Sequence, residues 1–329
     1  MIPFSILDLV PVVQNKSVQE SFHNSLRIAQ YAEQLGFTRY WVAEHHNMPN
    51  IASAATAVVM GYLASGTKNI RIGSGGVMLP NHPPLVIAEQ FGTLETLYPG
   101  RIDLGVGRAP GTDMLTIEAL RRDVRRADYF AEEIEELRSF FAPVEPQQTV
   151  QAVPGAGLNI PIWVLGSSLH GAQVAANLGL PYVFASHFAP DFLLKAISIY
   201  RHYFKPSAQL QQPYVMAAVN MAAADSMEEA KHLFTTTQQS FTNLLRGQRQ
   251  LIAPPIANID DYWTESERAK VNHMLKYSFV GTYEYIAEQV KEFVQETSID
   301  ELMIVSGLYD VRAREKTIQI AAKVAQQIE

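Results

Sequence analysis

Polar or glycine-rich segments follow four consecutive apolar runs of the sequence, and they carry the side chains best suited to chemistry. They are His45 and His46, then Ser74-Gly75-Gly76, then Gly107-Arg108, and finally Ser167-Ser168 with His170. Imidazoles can move protons near neutral pH, and glycines let a ligand lie against the backbone. A guanidinium beside hydroxyl groups is suited to phosphate. If the runs are neighbouring strands, these groups can converge on one phosphate-bearing ligand.

The last of these segments, Gly166-Ser167-Ser168-Leu169-His170-Gly171, opens a predicted helix directly after a predicted strand. Backbone N–H groups at a helix N-terminus bind anions, and the two serine hydroxyls add donors. Arg108 adds positive charge from the preceding strand. Together they predict a phosphate site, with the alternative that Ser168 only caps the helix.

The adjacent histidines raise the question of a metal. On an extended segment neighbouring side chains point to opposite faces, so His45 and His46 cannot easily share one ion. The chain has no cysteine, which excludes thiolate metal sites. We therefore expect no metal. One histidine is instead expected to act as a base or to stabilise charge at a cofactor, or to be a structural, hydrogen-bonded residue.

Eight short apolar runs, each bounded by turn residues, predict β-strands. They span residues 4–10, 40–43, 69–73, 101–106, 160–165, 182–185, 214–221 and 301–305. Helical patterns separate them, and strict alternation predicts a parallel sheet. Eight such units predict a closed (β/α)8 TIM barrel with insertions, in which active sites lie at the carboxyl ends of the strands.

The predicted helices span residues 17–35, 51–64, 85–97, 113–141, 172–178, 192–203, 227–245, 282–294 and 311–328. Ser17 and Glu20 have the spacing of a capping box, and Gly36 is placed to end the first helix. Residues 143–157 resemble a polar surface insertion. Residues 247–261 lack periodicity, which is typical of a lid or binding loop.

Composition narrows the class of protein. The 329 residues fit one large barrel, so a single domain over residues 1–329 is expected. A net charge of −7 argues against non-specific nucleic-acid binding. Residues 1–10 lack the basic segment of a signal peptide, and no apolar run is long enough to span a bilayer. A cytoplasmic protein without a membrane partner is the expectation.

Four motifs, in order along the chain, resemble the bacterial luciferase-like flavin monooxygenases, and among these the single-chain group. They are Trp41-Val42-Ala43-Glu44-His45-His46, the segment from Gly73 to Pro83, the segment from Pro99 to Arg108, and Gly166-Ser167-Ser168. The resemblance covers nearly the whole chain. It implies a luciferase-like TIM barrel that uses reduced FMN and O₂ to oxidise a small organic substrate.

The resemblance also implies roles for individual residues. His45 matches the functional histidine near the flavin, and the Gly75–Gly76 peptide matches a non-proline cis bond behind the ring. The cofactor contacts it implies are Ser74, Gly75, Gly76, Gly107, Arg108, Ser167, Ser168, Leu169 and Gly171. A separate NAD(P)H:flavin reductase is implied as partner, and a homodimer as assembly.

The sequence departs from luciferase at two positions, and two alternative functions are considered. Gly107 stands where luciferase has a reactive cysteine, and Gly171 stands where luciferase has a hydroxyl residue. The alternatives are a non-catalytic flavin-storage protein and an F420-dependent oxidoreductase. The substrate pocket is predicted to be lined by Asp8, His187, the Asn81-His82 turn and the loop around Pro254.

Overall fold

The computed structural model describes residues 2–109 and 113–328, which form a closed barrel of eight parallel strands with helices around it. The strands in chain order are β1 Phe4–Asp8, β2 Arg39–Val42, β3 Arg71–Met78, β4 Ile102–Gly107, β5 Ile162–Gly166, β6 Tyr182–Phe184, β7 Val215–Ala223, β8 Ser278–Gly281 and β9 Glu301–Val305. β1 pairs with both β2 and β9, and the pairing of β6 with β7 closes the ring. The predicted (β/α)8 TIM barrel is confirmed.

The strand β8 was missed by sequence analysis. It pairs outside the ring with the second half of β7, from Asn220 to Ala223. The first half of β7, from Met216 to Asn220, pairs with β9 and completes the barrel. β8 has only four residues and follows a long segment without periodicity, so its pattern is too short to distinguish from a loop. The barrel itself has eight strands, and β8 brings the number of strands in the described residues to nine.

The helices in chain order are α1 Val18–Gln34, α2 Thr56–Ser65, α3 Pro84–Leu97, α4 Met114–Ala119, α5 Phe130–Phe141, α6 Leu169–Leu178, α7 Leu193–Tyr203, α8 Met227–Leu245, α9 Glu265–Met274, α10 Tyr283–Thr297 and α11 Val311–Ala325. The capping box at the start of α1 is confirmed, because the Glu20 N–H donates to Ser17 Oγ at 3.1 Å and the Ser17 N–H donates to Glu20 Oε2 at 2.9 Å.

Among the described residues, no helix has both the length and the apolar character needed to cross a bilayer.

Three helix predictions need correction. The helix predicted from residue 51 begins at Thr56. The continuous helix predicted for residues 113–141 is divided, since Arg121 takes a left-handed conformation with φ of +55° and a 3₁₀ turn at Val124–Tyr129 precedes α5. α9 was not predicted at all: its sequence is mostly polar, and Val271 is its buried residue.

Asp8 was predicted to line the pocket, and this prediction is wrong. Neighbouring strand residues point to opposite faces, and Leu7 packs inside the barrel with Trp41. Asp8 therefore faces the helix layer, where it accepts hydrogen bonds from Tyr40 Oη at 2.5 Å and Arg314 Nη2 at 2.8 Å. A buried charge held by paired donors is a structural group.

The amino ends of the barrel strands carry a buried charge network, the amino-end cluster, formed by Arg39, Arg71, Asp103 and Glu301. Arg39 donates to Asp103 Oδ2 and to Glu301 Oε1, both at 2.9 Å. Arg71 donates to Asp103 Oδ1 at 2.7 Å. Both carboxylates are fully buried, so the arginines supply the compensation that buried charge requires.

Candidate active site

The carboxyl ends of β2 to β5 bring the predicted segments together. In the strand register Val42 lies opposite Ser74, Met78 opposite Gly107, and Gly107 opposite Leu165. The residues that follow these positions therefore share one end of the barrel. The shared barrel end expected from the sequence is present in the fold, and convergence of these groups on one ligand stays a prediction.

The glycines of β3 serve the packing of the barrel wall. A Cβ added at Gly75 would lie 2.5 Å from Leu7 Cδ1, and one at Gly76 would lie 2.8 Å from the Gly105 carbonyl oxygen. Ser74 is fully buried, and its hydroxyl donates to the same Gly105 oxygen at 2.8 Å. The Gly75–Gly76 peptide is cis, as the resemblance implies. Close protein packing by itself thus requires glycine here, and any contact of these residues with a cofactor stays a prediction.

The start of α6 and the end of β4 form a cradle suited to an anion. Ser168 is the N-cap residue of α6, yet its side chain accepts no hydrogen bond from the helix, so the capping alternative does not account for its hydroxyl. Arg108 is exposed and forms no hydrogen bond or ion pair with the described residues. Burial and the charge of Arg108 lower the pKa of His170, the second residue of α6, which places the guanidinium near the helix N-terminus.

The close approach of α6 to β5 depends on glycine at Gly171. A Cβ added there would lie 3.4 Å from the Cα of Gly166. Gly107, on the neighbouring strand, leaves a Cβ position 3.2 Å from Met78 Sδ. Ser167 and Leu169 are half-buried at the helix start. The helix N-terminus therefore opens directly above the ends of β4 and β5.

His45 follows β2 and borders a cleft of about 520 Å³, together with Met48, Ile51 and Arg249. Its Nδ1 is buried and has no hydrogen-bond partner among the described residues. Burial lowers the pKa of His45, so the ring is neutral near pH 7 and can accept a proton. This state fits the predicted role as a base.

Some buried polar atoms at this end of the barrel lack hydrogen-bond partners, and they indicate whether the site suits a bound group. His45 Nδ1, His187 Nδ1 and Ser306 Oγ are each buried without a partner among the described residues. Ser306 directly follows β9, and His187 lies just beyond β6. Buried polar atoms are ordinarily hydrogen-bonded. Three of the eight such atoms among the described residues lie at this end, and they fit a ligand that brings its own donors and acceptors.

Glu44 forms a compact cluster with two histidines, and sequence analysis gave this residue no role. Its Oε1 lies 2.7 Å from His46 Nε2 and 2.9 Å from His82 Nε2, and its Oε2 accepts the Met78 N–H at 3.0 Å. Burial would raise the pKa of Glu44, but the hydrogen bonds from the two histidines hold it at about 2. One ligand atom from each of the three residues lies within 4.8 Å of the others, so this group, rather than His45, has metal-capable spacing.

The irregular segment predicted at residues 247–261 reaches the same end of the barrel. Arg249 donates to the Asn47 carbonyl at 3.0 Å and to Asp113 Oδ2 at 2.5 Å. Ile252 exchanges backbone hydrogen bonds with the strand-like segment at Val12 and Gln14. Arg249 and its partners were not predicted, because contacts between residues so far apart in sequence leave no local pattern.

Comparisons with known proteins agree with this architecture. The family model described as luciferase-like monooxygenase matches residues 2–301. A luciferase-like monooxygenase of Escherichia coli (strain K12) is 50% identical over 99% of this chain and 98% of its own length. The crystal structure of apo-MsnO8 superposes with a TM-score of 0.92 at 30% identity, with 99% of each chain covered. The FMN complex of the oxygenating constituent of 3,6-diketocamphane monooxygenase from Pseudomonas putida superposes at 0.75 with 17% identity, covering 100% of this chain and 99% of that one. The chain belongs to the luciferase-like monooxygenase family.

Proposed function

We propose that this protein is a monooxygenase that uses reduced FMN and O₂ to oxidise a small organic substrate. The observation that carries the proposal is an arginine, unpaired among the described residues, near the N-terminus of α6, at the same end of the barrel as the cleft that His45 lines. An anion cradle next to a proton-accepting group is what a phosphate-bearing redox cofactor requires. The FMN complex of a protein with the same fold supports the choice of FMN.

Each residue of the site has a defined part in this proposal. Arg108 and the hydroxyls of Ser167 and Ser168 hold the phosphate, and the backbone N–H groups of Leu169 and Gly171 add donors at the helix start. The backbone of Ser74, Gly75, Gly76 and Gly107 forms the wall behind the ring system. His45 accepts or donates a proton at the edge of the cleft. When bound, FMN supplies the reaction with oxygen.

The proposal includes a separate source of electrons. The sequence contains no recognisable nicotinamide-binding or reductase domain, so reduced FMN would come from an NAD(P)H:flavin reductase. A homodimer is also proposed on the resemblance, and a cytoplasmic location on the composition of the chain. Gel filtration at micromolar concentration checks the assembly, and a monomer would contradict it.

The test is an anaerobic titration with reduced FMN, followed by rapid mixing with oxygenated buffer while the flavin spectrum is recorded. Tight binding and a transient spectrum unlike that of reduced or oxidised FMN are expected. His45→Ala should bind FMN but turn over substrate at least tenfold more slowly, since positioned acid–base groups typically contribute about 10² to 10⁴. Tight binding of oxidised FMN without an oxygen-dependent transient would indicate flavin storage. Binding of F420 but not FMN would indicate the deazaflavin alternative.

A further inference from the structure

Glu44, His46 and His82, here called the Glu44 cluster, combine three metal-ligating side chains at the carboxyl end of the barrel. Glu44 and His46 belong to the segment that follows β2, and His82 follows the 3₁₀ turn Leu79–Asn81 that comes after β3. One ligand atom from each residue lies within 4.8 Å of the other two. None of the three residues lines the cleft that His45 borders. The cluster is therefore a separate feature of this end of the barrel.

The distances within the Glu44 cluster are close to those between the ligands of one metal ion. Glu44 Oε1 lies 2.7 Å from His46 Nε2 and 2.9 Å from His82 Nε2. With metal–ligand bonds of about 2.1 Å, two ligands at a right angle are about 3.0 Å apart, and two at the tetrahedral angle are about 3.4 Å apart. The observed separations are thus nearer to those of a six-coordinate, right-angled arrangement than to those of a tetrahedron.

Hydrogen bonds from outside the cluster hold its members in place. The Met78 N–H donates to Glu44 Oε2 at 3.0 Å, which leaves Oε1 to the histidines. Arg122 donates to the His82 carbonyl at 3.1 Å and to the Pro80 carbonyl at 2.8 Å, so it fixes the turn that carries His82. Glu44 is buried and His82 is half-buried, so the carboxylate is fixed while an imidazole is reachable from solvent. Protein metal sites depend on outer hydrogen bonds of this kind to orient their ligands.

We propose that the Glu44 cluster binds a divalent transition-metal ion through Glu44 Oε1, His46 Nε2 and His82 Nε2. Two imidazoles and one carboxylate suit ions such as Zn²⁺, Co²⁺ or Mn²⁺, whereas Mg²⁺ and Ca²⁺ prefer oxygen ligands. Water fills the remaining positions of the ion. The expectation of no metal rests on the adjacent pair of His45 and His46, but in this site His46 acts with a histidine from another loop.

The ion would link the segment after β2 to the turn after β3. An ion that binds the folded arrangement and finds no such site in the unfolded chain stabilises the fold. Hydrogen bonds alone can also join the same three atoms, with each imidazole donating its Nε2–H to Glu44. The two arrangements differ at Nε2, which carries a proton in one and an ion in the other. This difference is what the experiment measures.

The test titrates the full chain, freed of metal by chelation, with Zn²⁺ followed by calorimetry and with Co²⁺ followed by visible absorption. One ion per chain is expected, with a dissociation constant below about 10 μM. Mg²⁺ in excess should not displace it. In the chain labelled with ¹⁵N-histidine, Zn²⁺ should shift the Nε2 signals of His46 and His82 more than those of any other histidine.

Four variants show which side chains hold the ion. Glu44→Gln and His82→Phe should each weaken Zn²⁺ binding by roughly a hundredfold or more. His45→Ala changes the neighbouring histidine outside the cluster and should bind Zn²⁺ within about twofold of wild type. His273→Asn should do the same, because His273 and its partner Asp191 are exposed elsewhere on the surface. Since Glu44 is buried, circular dichroism checks the fold of its variant, and the half-buried His82 gives an independent result.

Two outcomes would overturn the proposal. If the wild type binds neither Zn²⁺ nor Co²⁺, the cluster is only a hydrogen-bonded link between two loops. If binding survives both Glu44→Gln and His82→Phe, the ion is held adventitiously by other residues. These titrations contain no FMN, so neither outcome bears on the proposed flavin function, which keeps its own test.

Discussion

The two ends of the barrel differ in whether their buried polar groups have partners within the protein. At the amino end, the carboxylates of Asp103 and Glu301 are fully buried and paired with arginines. At the carboxyl end, His45, His187 and Ser306 have buried polar atoms without partners, and Arg108 is unpaired among the described residues. The amino end is not uniformly satisfied, since Trp163 Nε1 lacks a partner there. Even so, the buried carboxylates of the amino end are compensated within the protein, whereas Arg108 at the carboxyl end is available to a ligand.

This difference separates stability from function along one set of strands. A paired buried charge stabilises the fold only while both partners remain. An unpaired polar atom costs stability until a ligand supplies its partner. Substitutions at the amino end should therefore change the free energy of unfolding, and substitutions at the carboxyl end should change ligand binding.

The largest effect is expected for Asp103→Asn. This change leaves Arg39 and Arg71 without their shared carboxylate, and breaking a buried ion pair costs about 3–5 kcal/mol. Denaturant unfolding measures the loss. The matched control is Asp123→Asn, whose partner Arg125 is exposed and which should change stability by less than about 1 kcal/mol. An equal effect of the two changes would remove the distinction between buried and surface pairs.

Arg108→Ala should weaken ligand binding and leave stability unchanged, the reverse of what is expected for Asp103→Asn. Losing a charge-assisted hydrogen bond costs about 1.5–3 kcal/mol, so FMN should bind roughly ten- to a hundredfold more weakly while the unfolding free energy stays unchanged. Riboflavin, which lacks the phosphate, should bind wild type and variant alike. Arg125→Ala is the control, because Arg125 is exposed and paired with Asp123. If riboflavin binding fell as much as FMN binding, Arg108 would not be a phosphate ligand.

His187 should make the protein sensitive to acid. Its pKa is about 3 in the folded chain against 6.5 for an ordinary histidine, so between these values the unfolded state binds the extra proton. Stability should therefore fall as the pH is lowered from 6.5 towards 3, by about 2 kcal/mol at pH 5. Unfolding curves of His187→Phe should show a weaker fall, and those of the exposed control His202→Phe should match wild type. Parallel curves for all three proteins would contradict a neutral buried His187.

The smallest effects are expected for alanine substitutions at two N-cap serines. Ser17 accepts the Glu20 N–H at 3.1 Å, so Ser17→Ala should lower the free energy of unfolding by about 1 kcal/mol. Ser168 makes no capping hydrogen bond, so Ser168→Ala should leave stability within about 0.5 kcal/mol of wild type. It should weaken FMN binding by about 0.5–1.5 kcal/mol, the net value of one hydrogen bond. Reversal of the two results would show that Ser168 serves the helix.

The sequence predicts the parts of this fold that have local causes. Alternating apolar runs and helical patterns identify the eight barrel strands, and Ser17 with Glu20 identifies the start of α1. Local patterns are weaker where both faces of an element are similar. β1 is buried along its whole length, so nothing in its sequence shows which residues face inward, and Asp8 was placed on the wrong side. α9 buries so little that its apolar period is nearly absent.

The candidate site is predictable in outline, and its interactions are not. Strand order along the chain is enough to bring His45, Arg108 and Ser168 to one end of a barrel. The cluster of Glu44 with His46 and His82 depends on the distance between two loops, which no spacing in the sequence encodes. The same holds for the burial of His187 Nδ1 without a partner among the described residues. These features require the assembled ring of strands.

The nine-residue strand β7 divides its work between two neighbours. Its first half closes the ring against β9, while its second half anchors β8, and Asn220 lies where the two halves meet. The strand pairings that close the ring therefore do not include β8, although the excursion between β7 and β9 carries Arg249 to the cleft. Evolution can thus vary the part of the excursion that reaches the cleft, whereas α10 must keep the apolar face that places Ile286, Val290 and Phe293 in the main hydrophobic core.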